Sequence, residues 1–323
     1  MEASVESIQK RNKNLDKKKN KKITLKKLKE QKFLILMSFP FVVWVIIFCY
    51  VPLAGWVMAF EDYMPGQSFF KQHWSGLKQF KMLFHDDQFY QTLVNTLGMS
   101  SLGLIFGFTI PIIFALLLNE LRSIRFKRTV QTISYLPHFV SWVIASSIII
   151  KMLSVDGGVV NIILMHLHLI SKPLNFMAKP NMFWGIVTAS DVWKETGWNA
   201  IIYLAAITGI DQELYEAAKV DGANRFKQMI HITLPGIRPT IMVLLIMSIG
   251  NIINIGFEKQ FLLGNNIVKD KGYVIDWYAL DYGIGLFRYS YGTAIGIFKS
   301  VVSIVLLFAA NQFARRTGEG AII

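Results

Sequence analysis

The chain has 323 residues, of which 53% are apolar and only 17% are charged. These proportions exclude an ordinary water-soluble domain and predict a membrane protein. The formal net charge is +13, but residues 1–32 alone carry twelve Lys or Arg against four Asp or Glu. This concentration in an N-terminal tail favours a topology signal beside anionic membrane lipid, so we expect no nucleic-acid partner.

Six apolar runs follow the tail, each long enough to cross a hydrocarbon core of about 30 Å. Runs of this length favour helices over barrel strands, so we expect an all-α membrane protein with six transmembrane helices. The first run continues from the tail without a cleavage signal and is expected to remain attached. The predicted spans are 33–60, 93–118, 130–153, 183–209, 237–257 and 291–313.

The distribution of Lys and Arg between the spans predicts the orientation. If the tail is cytoplasmic and the spans alternate, the inner segments hold 22 Lys or Arg and the outer segments hold nine. We therefore expect a multi-pass protein of the cell membrane with both termini in the cytoplasm. Its predicted organisation is a basic tail (1–32), a transmembrane domain (33–313) with a cytoplasmic hairpin (211–235), and a C-terminal cytoplasmic tail (314–323).

The fourth apolar run contains four polar or aromatic residues at positions i, i+3, i+4 and i+7, which share one stripe of a helix. Three charges facing lipid would cost roughly 7 to 10 kcal/mol at the helix centre, so the stripe is expected to face partner charges or a water-filled path. One interpretation is a closed ion-pair network in which Lys194 lies between two carboxylates and is reached by Lys151 or Lys299. The stripe comprises Asp191, Lys194, Glu195 and Trp198.

Residues 211–235 are polar and helix-prone, although apolar runs flank them. Asp211 is suited to begin one helix, Gly222 to end it, and either Asp221 or Asn224 to begin a second. Each helix has one apolar face, which either packs on the protein's own helix ends or docks into another protein. The sequence leaves both alternatives open. These faces carry Leu214 and Ala218 on the first helix, and Phe226 and Ile230 on the second.

Seven residues of this hairpin fit the spacing E-A-A-x3-G-x9-I-x-L-P. The pattern resembles the EAA motif of the permease subunits of binding-protein-dependent ABC importers. That resemblance implies a type I ABC importer permease fold in which the hairpin is the coupling helix, inserted into a cleft of a separate ATPase. The predicted ATPase-coupling residues are Leu214, Glu216, Ala217, Ala218, Gly222, Ile232, Leu234 and Pro235.

Other stretches, among them SYLPHFVSWV and DVWKETGWNAIIYLAA, resemble the permeases that import complex oligosaccharides or polysaccharide fragments, relatives of the maltose-type permeases. For such a substrate, Trp193 or Trp198 would offer a flat face to a sugar ring, and Asp191 and Glu195 would bind its hydroxyl groups. The two tryptophans are five residues apart, so at most one lies on the stripe. The cations that could meet an acidic sugar are Lys194, Arg288 and Lys299.

The resemblance also implies partners. These are a second permease subunit, two ATPase subunits, an extracellular solute-binding protein, the oligosaccharide and membrane lipid. No Gly-Lys-Ser or Gly-Lys-Thr of a phosphate-binding loop occurs, so ATP and Mg are expected on the partner ATPase and no cofactor on this chain. His166 and His168 lie two apart, on different faces of a helix, and predict no metal site.

Two other classes of function remain open at the level of sequence. An ion-coupled secondary sugar transporter would use Asp191 and Glu195 as a proton or sodium relay. It would work without an ATPase and give the hairpin no role. A membrane scaffold would need neither the charged stripe nor the hairpin.

Overall fold

The computed structural model describes residues 31–68 and 71–316. The predicted N-terminal tail and most of the predicted C-terminal tail lie outside the described residues. The chain divides into two compact units, Met1–Val57 and Met58–Ile323.

The first unit contains helix α1, Lys32–Val45. A π turn, Ile46–Tyr50, and a 3-10 segment, Val51–Phe60, continue the helical path. The change of helix type coincides with Pro52, which has no N–H to donate to the preceding turn. Lys32–Phe60 as a whole is 29 residues long and apolar enough to cross a membrane, in agreement with the predicted first span.

The second unit begins with a short antiparallel pair, β1 (Glu61–Asp62) and β2 (His73–Trp74). The remaining regular structure described in this unit is helical. Its α-helices are α2 Lys78–Leu83, α3 Asp87–Asn119, α4 Ile124–Tyr135, α5 Trp142–Met152, α6 Val159–His166, α7 Pro180–Thr208, α8 Gln212–Val220, α9 Arg225–Gln228, α10 Leu234–Gly236, α11 Arg238–Gly250, α12 Glu258–Leu263, α13 Lys269–Gly272, α14 Ile275–Leu280 and α15 Tyr289–Arg316.

The long helices coincide with the predicted spans. Besides Lys32–Phe60, α3 and α15 are long and apolar enough to cross a membrane. The pairs α4–α5, bent by 105°, and α9–α11, bent by 58°, raise that number to five if each pair is one span. Every 18-residue stretch of α7 contains three charged residues, which sets it apart from the others. The helical architecture is confirmed, and the count of six spans stays a prediction.

The predicted third span, 130–153, is sharply bent. A 3-10 turn, Leu136–Phe139, follows α4 and contains Pro137. Val140 is extended, and Ser141 then caps α5, its hydroxyl accepting the Ile144 N–H at 3.4 Å. Pro137 lies inside the predicted span, but the sequence does not predict the bend, because proline alone does not determine where a helix restarts.

Helices α3 and α7 form the centre of the second unit. Their contact buries small clusters, including Ala115 with Ala200 and Tyr203. A close approach also joins α7 to α4, since a Cβ atom at Gly197 would lie 2.0 Å from the Ser134 carbonyl oxygen. Glycine at position 197 therefore permits the backbones to pack directly against each other.

Candidate functional site

The elbow hairpin, residues 211–235, has the helix–turn–helix form that the sequence predicts. The Asp211 carboxylate caps α8 by accepting a backbone N–H of the first turn at 3.0 Å. Gly222 has φ of +75°. Its N–H donates to the Lys219 carbonyl at 3.1 Å, and the Ala223 N–H donates to the Ala218 carbonyl at 2.8 Å. This Schellman arrangement satisfies the last carbonyls of α8 and requires the left-handed conformation that glycine favours.

Of the two predicted caps for the second helix, the structure selects Asn224, whose Oδ1 accepts the Lys227 N–H at 2.9 Å. A π turn, Met229–Thr233, connects α9 to α10. The helical backbone continues through Pro235, so no helix ends at the predicted boundary of the hairpin, residue 235. Pro235 lies in the first turn of α10, where its missing N–H is tolerated.

One side of the elbow hairpin is fixed to the rest of the second unit. Arg225 donates to the Glu120 backbone carbonyl at 3.1 Å, at the end of α3. Met229 packs against the buried cluster of Leu116, Ile207 and Ile237. These contacts connect the hairpin to the ends of α3, α7 and α11.

The opposite side of the elbow hairpin exposes apolar side chains. Leu214 is 53% exposed, Phe226 64% and Val220 89%. Docking of this side into another protein, one of the two alternatives from the sequence, stays a prediction. Of the predicted coupling residues, Leu214, Glu216, Ala217, Gly222, Leu234 and Pro235 are exposed, and Ala218 and Ile232 are half-buried.

A second candidate site is a cavity of about 350 Å³, here called the central cavity. It lies between α3, α7, α11 and the segment 251–260. Its size falls in the range of small-ligand pockets. Its lining combines apolar side chains with several polar ones, which include Ser100, Thr188, Asp191, Glu195, Thr196, Asn199, Ser248, Asn251, Lys259 and Gln260.

The charges of the predicted stripe are paired differently from the sequence interpretation. Asp191 forms an ion pair with Lys259, with Nζ and Oδ2 2.8 Å apart, and does not share Lys194. Lys259 lies in α12, in the segment between the predicted fifth and sixth spans. The sequence signal that could have identified Lys259 is a lysine–glutamine pair, which interrupts the apolar stretch after the fifth run.

Lys194 belongs to a buried network at the bend of the third span. Its ammonium donates to the His138 backbone carbonyl at 2.7 Å and to Glu195 Oε1 at 3.1 Å. Glu195 Oε2 lies 2.7 Å from His138 Nδ1. The bend removes the helical partner of the His138 carbonyl, so Lys194 satisfies a group that would otherwise be buried and unpaired. The side chain of Lys194 is 6% exposed, which favours a structural role over direct substrate contact.

The two predicted tryptophan platforms lie outside the central cavity. Trp198 stacks on His138, with ring centroids 4.3 Å apart and planes 1° from parallel. Trp193 is 46% exposed and does not line the cavity. The aromatic side chains that do line it are Phe108 and Tyr203, in edge contact at 6.4 Å.

Two buried polar side chains at the cavity have unused hydrogen-bonding capacity. Gln260 is fully buried, and neither its amide nitrogen nor its amide oxygen has a partner within the described part of the chain. The same holds for the hydroxyl of Thr196. Unpaired buried polar groups are destabilising, and both residues belong to the lining of the cavity.

The remaining predicted cations lie in a separate polar cluster. Lys299 of α15 pairs with Asp276, whose other oxygen accepts the Gly256 N–H at 3.0 Å. Arg288 lies over the Tyr291 ring, 4.6 Å from its centroid. Neither Lys299 nor Arg288 lines the central cavity. The substrate contacts predicted for both stay untested.

The same cluster contains Tyr278, which hydrogen-bonds to the Asp86 carboxylate and to the Tyr291 hydroxyl. Burial, together with the hydrogen bond to Asp86, raises the pKa of Tyr278 above its ordinary value. These contacts join the segment before α15 to the start of α3, where Asp86 is the N-cap.

Comparison with known proteins identifies the family of the chain. Residues 107–319 match the family described as binding-protein-dependent transport system inner membrane component. Protein LplB of Bacillus subtilis strain 168 is 45% identical over 289 residues, which cover 90% of each chain. The polygalacturonan/rhamnogalacturonan transport system permease protein YteP of the same organism is 43% identical over 306 residues, covering 95% of each chain.

Solved structures agree with the sequence relatives. A chain of a bacterial ABC transporter involved in the import of the acidic polysaccharide alginate is 41% identical, with a TM-score of 0.81, covering 90% of this chain and 98% of that one. A chain of the bacterial alginate ABC transporter in complex with its alginate-pentasaccharide-bound periplasmic protein is 39% identical, with a TM-score of 0.84, covering 93% and 100%.

Proposed function

Because the chain belongs to the family of binding-protein-dependent transport system inner membrane components, we propose that it forms half of the translocation path of an ABC importer for acidic oligosaccharides. The proposal includes a cytoplasmic position for both termini and for the elbow hairpin. Hydrolysis of ATP with Mg takes place on two separate ATPase subunits. A second permease subunit completes the path, and an extracellular solute-binding protein delivers the sugar.

The observation that carries this proposal is the two-sided elbow hairpin. One side is held to the helix ends by Arg225 and Met229, and the other exposes Leu214 and Phe226. A partner that binds the exposed side can therefore move the helices that continue from the hairpin. Shifting a two-state equilibrium from 1:99 to 99:1 needs about 5.5 kcal/mol of differential binding, which nucleotide binding at two ATPase sites can supply.

The polar character of the central cavity supports a sugar as cargo. The exposed amides of Asn199 and Asn251 are suited to sugar hydroxyl groups, and half-buried Phe108 offers an aromatic surface. The relatives whose names or titles state an acidic polysaccharide, polygalacturonan or alginate, are about 40% identical over nearly the whole chain. We extend that substrate class to this protein as part of the proposal.

The family argues against the ion-coupled alternative, because its members belong to binding-protein-dependent transport systems. The charge pairing in the cavity gives that alternative no specific support. Asp191 pairs with Lys259, and Glu195 contacts both Lys194 and His138.

Purification with the ATPase tests the proposal. We expect the wild-type permease pair to retain the ATPase in stoichiometric amount and to show ATP hydrolysis stimulated by the sugar-loaded binding protein. Leu214→Asp should lose the ATPase, because it places a charge on the exposed apolar side of the hairpin. Leu169→Asp is the matched control, since Leu169 is 68% exposed but lies in a different loop.

The outcomes separate the candidate functions. Retention of the ATPase by Leu214→Asp, at the level of Leu169→Asp, contradicts the proposed docking side. Sugar uptake by the chain in liposomes without any ATPase, driven by an ion gradient, supports the secondary transporter instead.

A further inference from the structure

The central cavity has one cation and two carboxylates among the described residues that line it, namely Lys259, Asp191 and Glu195. Glu195 is compensated from outside the cavity, because Lys194 contacts its Oε1 and His138 contacts its Oε2. Asp191 and Lys259 remain as a pair that is confined to the cavity lining. Without cargo, the net charge of the cavity lining is therefore close to zero. Its one ammonium group, that of Lys259, is paired with one carboxylate, that of Asp191.

Lys259 is placed so that its ammonium can exchange partners. Its side chain is 18% exposed, and that of Asp191 is 31% exposed. Lys259 also borders a second hollow of about 250 Å³, lined by Trp142 and the segment 255–259. Its Nζ lies 5.9 Å from the centroid of the Trp142 ring. The ammonium carries three N–H donors, of which the Asp191 carboxylate uses only part.

We infer that Lys259 is the residue that selects acidic sugars. When the cavity is empty, Asp191 forms an ion pair with Lys259 in place of the sugar carboxylate. This inference rests on the proposed function, since it concerns the cargo of the same cavity. A uronate entering the cavity would form a charge-assisted hydrogen bond with Lys259 in exchange for that of Asp191. The exposed amides of Asn199 and Asn251, which also line the cavity, would then hydrogen-bond the neighbouring hydroxyl groups.

The exchange explains how the site can prefer an anion and still release it. An uncompensated lysine would bind a uronate tightly, whereas a lysine that already has a carboxylate gains only the difference between two similar ion pairs. A neutral sugar leaves the Asp191–Lys259 pair unchanged and makes no new ionic contact. Selectivity therefore depends on Lys259, and the strength of binding is limited by Asp191.

The test uses the whole transporter, with its second permease and ATPase subunits, in lipid nanodiscs without the binding protein. Equilibrium binding is measured for trigalacturonate and for its fully methyl-esterified form, which keeps the ring and removes the charge. The decisive variant is Lys259→Met combined with Asp191→Asn, because Lys259→Met alone would leave a half-buried carboxylate unpaired. Lys172→Met, an exposed lysine in the loop before α7, controls for loss of one positive charge.

Wild type and Lys172→Met are expected to bind the acid more tightly than the ester, but by less than about tenfold, because Lys259 exchanges one charge-assisted hydrogen bond for another. The double variant is expected to bind both forms equally. Asp191→Asn alone is expected to bind the acid more tightly than wild type does, since Lys259 then lacks its internal partner.

Three results overturn the inference. They are an acid-to-ester preference that survives in the double variant, equal binding of both sugars by wild type, and unchanged or weaker acid binding by Asp191→Asn. A failure of the proposed function looks different, because then the wild-type complex shows no ATP-dependent uptake of either sugar when the binding protein is added.

Discussion

Replacing Gly197 by alanine tests the close contact between α7 and α4. A Cβ atom at position 197 would lie 2.0 Å from the carbonyl oxygen and 2.4 Å from the carbonyl carbon of Ser134. Ordinary contact begins at 3.4 Å, so the α4 backbone would have to move by about 1.4 Å. The obstacle is main chain, which cannot rotate away as a flexible side chain can.

Two opposing effects determine the expected magnitude. Alanine is better than glycine in a helix by up to about 1 kcal/mol. Overpacking typically destabilises by about 1–3 kcal/mol, and contact with backbone places this site at the upper end. The net expectation is a destabilisation of about 2 kcal/mol. Gly185 lies on the same helix, and a Cβ there would have no neighbour within 4 Å, so Gly185→Ala should retain the favourable effect alone.

Thermal unfolding of the two purified variants, followed by tryptophan fluorescence, measures the difference. We expect the apparent Tm to fall for Gly197→Ala and to stay equal or rise for Gly185→Ala. The same order should appear in the temperature at which transport activity is lost. An apparent Tm for Gly197→Ala at or above that of Gly185→Ala would refute the packing argument.

Further predictions concern the network around Lys194, the elbow hairpin and the polar cluster that contains Tyr278. Lys194→Met should lower the apparent Tm strongly, because breaking a buried pair costs about 3–5 kcal/mol, and adding Glu195→Gln should restore part of the loss; an equal Tm for both variants contradicts the network. In a Cys49→Ser background, Val220→Cys should react with a membrane-impermeant maleimide only after the cells are permeabilised, and reaction in intact cells would contradict the cytoplasmic position. Stability should fall as pH rises above about 10, because tyrosine in the unfolded chain ionises there while Tyr278 stays protonated; Tyr278→Phe should weaken this dependence, and unfolding curves at several alkaline pH values measure it.

The helices and the elbow hairpin could be predicted from sequence because they depend on local signals. Apolar length identifies a span wherever it occurs. Asp211 caps the first turn of α8 and Gly222 ends its last turn, so the start and the end of α8 follow from the residue types. Asn224 and Asp221 were equivalent as caps by residue type. The structure distinguishes them because only Asn224 lies at the start of α9 in extended conformation.

The pairing of the charges could not be predicted because it depends on which segments meet. Helical spacing places Asp191 and Lys194 on one stripe and suggests that they pair with each other. The bend near Pro137 instead brings the His138 carbonyl to Lys194, and the chain after α11 brings Lys259 to Asp191. Both partners are distant in sequence, and hydropathy contains no information about them.

The residues that line the central cavity could not be predicted for the same reason. Trp193 and Trp198 were attractive as sugar platforms because of their residue type and their position in a span. Trp198 instead stacks on His138 beside the bend. Gln260 was not predicted as a site residue, because a single amide side chain forms no periodic pattern in the sequence. Its importance follows from complete burial without a hydrogen-bond partner.

The most direct test of the account is chemical cross-linking from the elbow hairpin in the assembled transporter. Glu216, which is exposed on α8, is replaced by cysteine in a Cys49→Ser background. In inside-out membrane vesicles this cysteine is labelled with a maleimide that carries a benzophenone, which inserts into a neighbouring C–H bond on illumination. The account predicts one major product joining this chain to the ATPase subunit, with a yield that changes when ATP is added. A cysteine that reacts freely with a monofunctional maleimide but never cross-links to the ATPase would contradict it.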